Sequence, residues 1–341
     1  MNIDQPIYEL FKLGRTGLPK EAGDIGIEVE VEGLDLPARV AGGRWHVKND
    51  GSLRAPVGGS AYEYVTVGAI PYADVDAVLA ELKTAMAKAK PQWSNRTSVH
   101  IHVNVSDMSF RDTINFMALY TTFEDILTEY AGGLKRSGNL FCVRAVDAEE
   151  NIDTIVRSIR DQAIDAFYDD NLHYAGMNVN SITQRGSIEF RAMAGNLDTK
   201  FIKSWIDALY GLREKAKTFN DPREVVSALS HTGPIQFMRD CLPVDVATQC
   251  RMQPELFPRL FDGVRLAQEL AYAREWGLRA PYKAKASKAK IVMDEYAQFI
   301  IPGGEIVRRD PAPPPIRWGF DAPIAPAPVR PARRVVRARN G

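Results

Sequence analysis

Three segments of the chain carry reactive side chains at alternate positions. In DIGIEVEVEG (24–33), Glu28, Glu30 and Glu32 alternate with Ile27, Val29 and Val31. In SVHIHVNV (98–105), His100, His102 and Asn104 alternate with valine and isoleucine. In SIEFRAM (187–193), Glu189 and Arg191 alternate with Ile188, Phe190 and Ala192. A strand turns successive side chains to opposite faces, so each segment reads as a strand with one reactive and one apolar face. Glu63, in YEYV, is a further candidate. A solvated sheet face also alternates, so one such strand alone decides nothing. Stacked like charges repel, however, and here one strand is purely acidic while another has two histidines separated by one residue. Carboxylates, imidazoles and a guanidinium on one surface suit a hard cation together with a polyphosphate.

Other chemistries lack their motifs. The sequence has no GxxxxGK[ST] loop, no GxGxxG after a strand and no HExxH. A zinc hydrolase built on His100 and His102 needs a third ligand, yet Asp107 is the nearest acid and His173 and His231 sit in no matching motif. The three cysteines, Cys142, Cys241 and Cys250, form no CxxC pair, which argues against a disulfide framework or a thiolate metal site. Cys142 lies beside a basic loop, but no His or Asn partner for a nucleophile can be argued.

The elements that must position these residues follow from periodicity. WHVKNDGSLR contains an Asn-Asp-Gly turn, and YEYVTV reads as a strand. Residues 73–90 read as an amphipathic helix through Val75, Val78, Leu79, Leu82 and Met86. Ser109 or Asp107 caps a long helix reaching about Tyr130, and another spans roughly 149–167. AGMNVNSI and SIEFRAM form a strand pair across the turn-like TQRG. From Asp198 to about Ile300 the pattern is mostly helical; Asp221-Pro222 supplies a cap and a first-turn proline, and 254–276 a long helix. Met177, Met193 and the Trp205–Tyr210 stretch read as core. The expected fold class is α+β: a curved, largely antiparallel sheet with helices on one face and a helical C-terminal lobe.

Composition is that of a globular protein, with 45% hydrophobic and 25% charged residues. No run approaches the roughly 18 apolar residues that span a bilayer, and the first residues lack a signal-peptide core, so a cytoplasmic location is expected. The zero net charge is unevenly spread. From Arg308 to Gly341 eight Arg face two Asp, so that segment carries +6 and the rest −6. It also holds eight of the 21 prolines and is expected to be a disordered tail whose basic end could touch nucleic acid or an acidic partner.

In order along the chain, GIEVEVEG, WHVKNDGSL, YEYVT, SVHIHVN and YAGMNVNSITQRGSIEFRAMAGNLD resemble the amidoligases, a branch of the carboxylate–amine ligases with the glutamine synthetase and γ-glutamylcysteine ligase fold. The resemblance covers roughly residues 24–205. It implies a glutamine synthetase-like catalytic domain over 1–205, a helical part of the same unit over 206–307, and the 308–341 tail. It further implies that Glu28, Glu30, Glu63, Glu189 and His100 ligate Mg2+, with His102 at substrate and metal. Lys48, Asp50 and Ser52 match a Lys-x-Asp-Gly-Ser segment at the site edge. Arg191 would hold phosphate, Asn178 matches the Asn of a Tyr-x-x-x-Asn element, and Arg136 or Arg144, in RSGNLFCVR, matches a functional Arg. The sequence departs from the family pattern at Thr97 and Ser98, where Gly, often after Cys, precedes the first His. It departs again at Thr66-Val67, where Ser-Pro is usual. These departures bear on the substrate pocket rather than the metal ligands.

The implied activity is an ATP- and Mg2+-dependent carboxylate–amine ligase working through an acyl phosphate, with amino acids, peptides or peptide-like amines as substrates and oligomerisation open. A guanidino phosphotransferase of the same fold and a non-catalytic binding or scaffold protein are the alternatives.

Overall fold

The computed structural model describes residues 2–13, 24–133, 136, 138–168 and 174–277. The 308–341 tail, His173 and the helical pattern expected after Gly277 lie outside the described residues.

Strict alternation in the sequence becomes the centre of an antiparallel sheet with seven strands among the described residues. Its strands are β1 (Ile25–Leu34), β2 (Trp45–Lys48), β3 (Ser60–Thr66), β4 (Lys90–Gln92), β5 (Ser98–Asn104), β6 (Met177–Asn178) and β7 (Ser187–Ala194). The order is β2-β3-β1-β5-β7-β6, and β4 pairs with the end of β1. The three strands with reactive faces are therefore adjacent, β1 against β5 and β5 against β7. Period two sends Ile27, Val29 and Val31, then Val99, Ile101 and Val103, then Ile188, Phe190 and Ala192 into one continuous core.

A β-bulge interrupts the β5–β7 ladder. Val99 pairs with Met193 but Ile101 pairs with Phe190, so β7 spends an extra residue opposite His100. The bulge falls at Arg191–Ala192, beside the reactive residues, where such irregularities re-aim side chains. Strict period two gives no warning of it.

Helices pack in two layers over the apolar face, and one short helix, the fifth, borders the reactive face instead. In chain order they are α1 (Ile7–Leu10), α2 (Val75–Ala85), α3 (Phe110–Gly132), α4 (Glu149–Asp161), α5 (Ser181–Arg185), α6 (Thr199–Ala216), α7 (Pro222–Thr232), α8 (Pro234–Cys241), α9 (Val244–Arg251) and α10 (Leu256–Ala271). Ser109 caps α3 by accepting from the Asp112 N–H, as expected, and Asp221 caps α7 ahead of Pro222. The α3 helix packs on β7 and on α6 while α10 crosses its outer side, which is why it is buried around most of its circumference. Gly263 permits that crossing: a Cβ there would stand 2.5 Å from the Thr122 carbonyl oxygen.

Three expectations change. AGMNVNSI contributes only the two-residue β6, and TQRG is no hairpin turn: Ser181–Arg185 form α5, closed by Gly186 at φ 70°. The helix beginning at Glu149 ends at Asp161, with Gln162 left-handed at φ 56°. The 254–276 helix is shorter, Leu256–Ala271.

Candidate functional site

The reactive face is not an open, solvated surface. Glu28, Glu30, Glu32, His100, His102, Asn104, Asn178, Glu189 and Arg191 are all buried, beneath a rim formed by the β2–β3 connection, residues 138–144 and α5. Burying so many ionisable groups is costly unless they pair. The pairing is extensive.

Register lays the groups out in two rows. Lys48, Glu63 and Glu30 stand opposite one another on β2, β3 and β1, as do His102, Glu189 and Asn178 on β5, β7 and β6. Glu28 is opposite His100 on β5 and joins the rows. Its Oε2 is 3.3 Å from His100 Nδ1, and its Oε1 is 3.2 Å from His102 Nε2. His100 Nδ1 is also 3.3 Å from Glu189 Oε1, so one imidazole links two carboxylates. On its other side His100 Nε2 is 2.8 Å from Ser98 Oγ, which donates to Glu30. Arg191 donates to Glu189 Oε1 at 2.5 Å and to the Phe141 carbonyl at 3.2 Å, while Asn178 donates to Glu189 Oε2 at 2.8 Å.

These contacts set the charges. Burial acts to raise the Glu28 carboxyl, but hydrogen bonds with His100 and His102 and their charges hold it well below the usual carboxylate range. Glu189 is likewise lowered: burial opposes ionisation, and the charges of His100, His102 and Arg191 outweigh it. Glu63 goes the other way. Burial, and then the charge of Glu28, pushes it up to about 7.

Glu28, His102 and Glu189 each turn a ligand atom inward, all within 4.8 Å of one another, and form a candidate metal site. Two ionised carboxylates with one imidazole make a donor set acceptable to Mg2+ or Mn2+. His100, rather than standing in this triad, braces both of its carboxylates. Glu30 is linked to the triad through Ser98 and His100, and Glu63 lies beyond Glu30.

The remaining candidates fall in three places. Lys48 stands half-exposed at the rim, its Nζ 4.0 Å from Glu63 Oε2. Asp50 and Ser52 shape the turn after β2: the Ser52 N–H donates to Asp50 Oδ1, and the Ser52 carbonyl accepts from Arg96. Arg136 is only 1% exposed; its Nη2 donates to the Arg191 carbonyl, while Nε and Nη1 have no hydrogen-bond partner among the described residues. Arg144 points elsewhere, paired with Asp125 and Asp147. Cys142 is buried, and burial raises its thiol, in keeping with an inert role.

Several site residues escape sequence reading. Ser98 and Ser187 share the reactive face by period two; Ser187 Oγ and Ser181 Oγ lie 3.2 and 3.3 Å from His102 Nδ1. Arg185, at the end of α5, reaches back so that its Nη1 is 3.4 Å from Glu28 Oε1 and 3.2 Å from His102 Nε2. Beside it opens a polar cavity of ≈ 380 Å³ lined by Tyr174, Asn178, Asn180, Ser181, Gln184, Arg185 and Glu189.

An antiparallel sheet with one helix-covered face and a buried carboxylate–imidazole–guanidinium cluster on the other is an architecture for handling cations and anions together. The chain belongs to the family described as "Putative amidoligase enzyme", whose model matches residues 40–210. No curated protein matches the chain. The family points to a ligase, and among the described residues no helix is long and apolar enough to cross a membrane.

Proposed function

We propose that the protein is an ATP- and Mg2+-dependent ligase of glutamine synthetase-like fold that joins a carboxylate to an amine through an acyl phosphate. The single observation carrying this reading is the triad of Glu28, His102 and Glu189, buried beside Arg191 and the unsatisfied guanidinium of Arg136, in a chain of an amidoligase family.

The residues fit a divalent cation because Glu28 and Glu189 are held ionised and aim oxygen donors at a common point. Glu28, His102 and Glu189 would hold it, with Glu30, Glu63 and His100 behind them. A bound Mg2+ would neutralise phosphate charge and bring nucleotide and acid together. The need is quantitative: two unit charges about 4 Å apart repel by about 4 kcal/mol at an effective dielectric near 20.

The chain's own groups do the rest. Arg191 is fixed by Glu189 and the Phe141 carbonyl, so it presents its charge without reorganisation. Arg136 adds two buried nitrogens, without hydrogen-bond partners among the described residues, that are suited to phosphate oxygens. Depth of burial excludes water, which would otherwise hydrolyse an activated acid. Between Glu28 and Glu189, His100 Nδ1 can hold a proton shared by two carboxylates and keep both aligned. Amino acids, peptides and peptide-like amines are the proposed substrate class.

The test is ATP turnover with Mg2+ across pooled amino acids and peptides, with phosphate release and product mass read together. Amine-dependent phosphate release with a condensed mass is expected from the wild type and absent from Glu189→Gln. Full activity in that variant would remove the assignment.

A further inference from the structure

We propose that Arg185 is a tethered cation that competes with a divalent cation for the Glu28–His102–Glu189 cluster and, when displaced by it, turns into the adjoining cavity to receive a carboxylate of the substrate. This rests on the metal reading above.

Two features show that Arg185 is placed to exchange. Its Nη1 contacts Glu28 and His102, two of the three residues of the triad, so guanidinium and metal contend for the same partners. The contacts are also loose. At 3.4 and 3.2 Å they exceed the roughly 2.7–2.9 Å of strong charge-assisted bonds, and the side chain is half-exposed. Arg191, by contrast, is clamped to Glu189 at 2.5 Å and buried.

The cavity indicates where the freed guanidinium goes and what it meets. Arg185 supplies the positive charge among its lining residues, beside the neutral groups of Asn180, Ser181 and Gln184. Among the described residues Nη1 alone is engaged, and Nε and Nη2 remain to face an incoming ligand. With the Glu189 carboxylate engaged by the metal, one guanidinium beside neutral hydrogen-bonding groups matches a carboxylate, which two parallel N–H bonds can grip, better than a polyphosphate. A volume of ≈ 380 Å³ is near the small end of ligand pockets, which run from about 300 to 1,000 Å³, and suits an acid of amino-acid or dipeptide size. Glu189 also lines this cavity, so an acid bound there lies against the cluster.

The experiment measures Mn2+ binding by calorimetry to the full chain, wild type and Arg185→Gln, with thermal unfolding as the check that both fold. Removing the competing guanidinium should tighten Mn2+ about fivefold, and Arg185→Lys should fall between. In a second arm, with Mg2+ saturating, succinate serves as the carboxylate probe and inorganic phosphate as the contrasting anion. Arg185→Gln should weaken succinate at least fivefold and leave phosphate unchanged. Equal or weaker Mn2+ affinity in Arg185→Gln would overturn the exchange. Succinate affinity unaffected by the substitution, or no succinate binding to the wild type, would overturn the carboxylate role. A wild type that binds no divalent cation would instead bring down the metal reading, and this inference with it.

Discussion

Replacing Glu124 by Gln should remove a pH-dependent instability that the fold carries through α3. Glu124 is buried in the middle of that helix, and burial pushes its carboxyl from an ordinary 4.5 up to about 7; the Ala145 N–H, which donates to Oε2 at 2.7 Å, and the charge of Arg144 only partly offset this. Between these two values the folded protein keeps a proton that the unfolded chain has lost. The favourable contribution is therefore complete below about 4.5, declines as pH rises and is gone above about 7. Raising the carboxyl from 4.5 to about 7 corresponds to about 3 kcal/mol, most of which is lost between pH 5 and 8. A neutral glutamine amide can still accept from the Ala145 N–H but has no proton to lose. Urea unfolding of both proteins at pH 5 and pH 8 should show the wild type losing about 2 to 3 kcal/mol more than Glu124→Gln across that interval. Parallel pH profiles would refute the reasoning, since they would mean that Glu124 ionises in the fold as easily as in the unfolded chain.

Further outcomes follow from the same geometry. Glu28→Gln removes the carboxylate that joins His100 and His102 and should weaken Mn2+ binding at least tenfold by calorimetry, as expected for loss of a ligand. Arg144→Ala breaks pairs with Asp125 and Asp147 and should cost about 2 kcal/mol of unfolding free energy while leaving nucleotide affinity unchanged. Gly263→Ala should cost about 2 kcal/mol or more in urea unfolding, because its Cβ would meet backbone carbonyl oxygens of Thr121 and Thr122, which cannot swing aside.

The central strands were legible because β1, β5 and β7 each bury one face completely, and period two then fixes which residues share the other. Adjacency was not legible. Nothing local in GIEVEVEG or SVHIHVN requires that they pair, and only the register brings Glu28 opposite His100. Short elements escaped for the same reason. Trp45–Lys48 spans four residues and Lys90–Gln92 three, one of them Pro91, too few for a periodic signal, and their pairing comes from the neighbouring strand. The Met177–Val179 alternation continued on paper into Ser181–Ile182, but the chain turns there into α5 and carries Arg185 back over the cluster. Arg144 and Arg136 look alike in RSGNLFCVR. Acidic partners on α3 and in the following loop claim one, while the other is buried with donors that no described residue fills.

The most direct test of the ligase reading is nucleotide binding and turnover by the folded full chain in the presence of Mg2+. The prediction is ATP binding by calorimetry, amine-dependent phosphate release and a product whose mass equals acid plus amine less water, all retained by the wild type, with release and product lost in Glu189→Gln. Properly folded protein that binds no nucleotide with Mg2+ present would contradict it and favour a protein that keeps the sheet for binding alone.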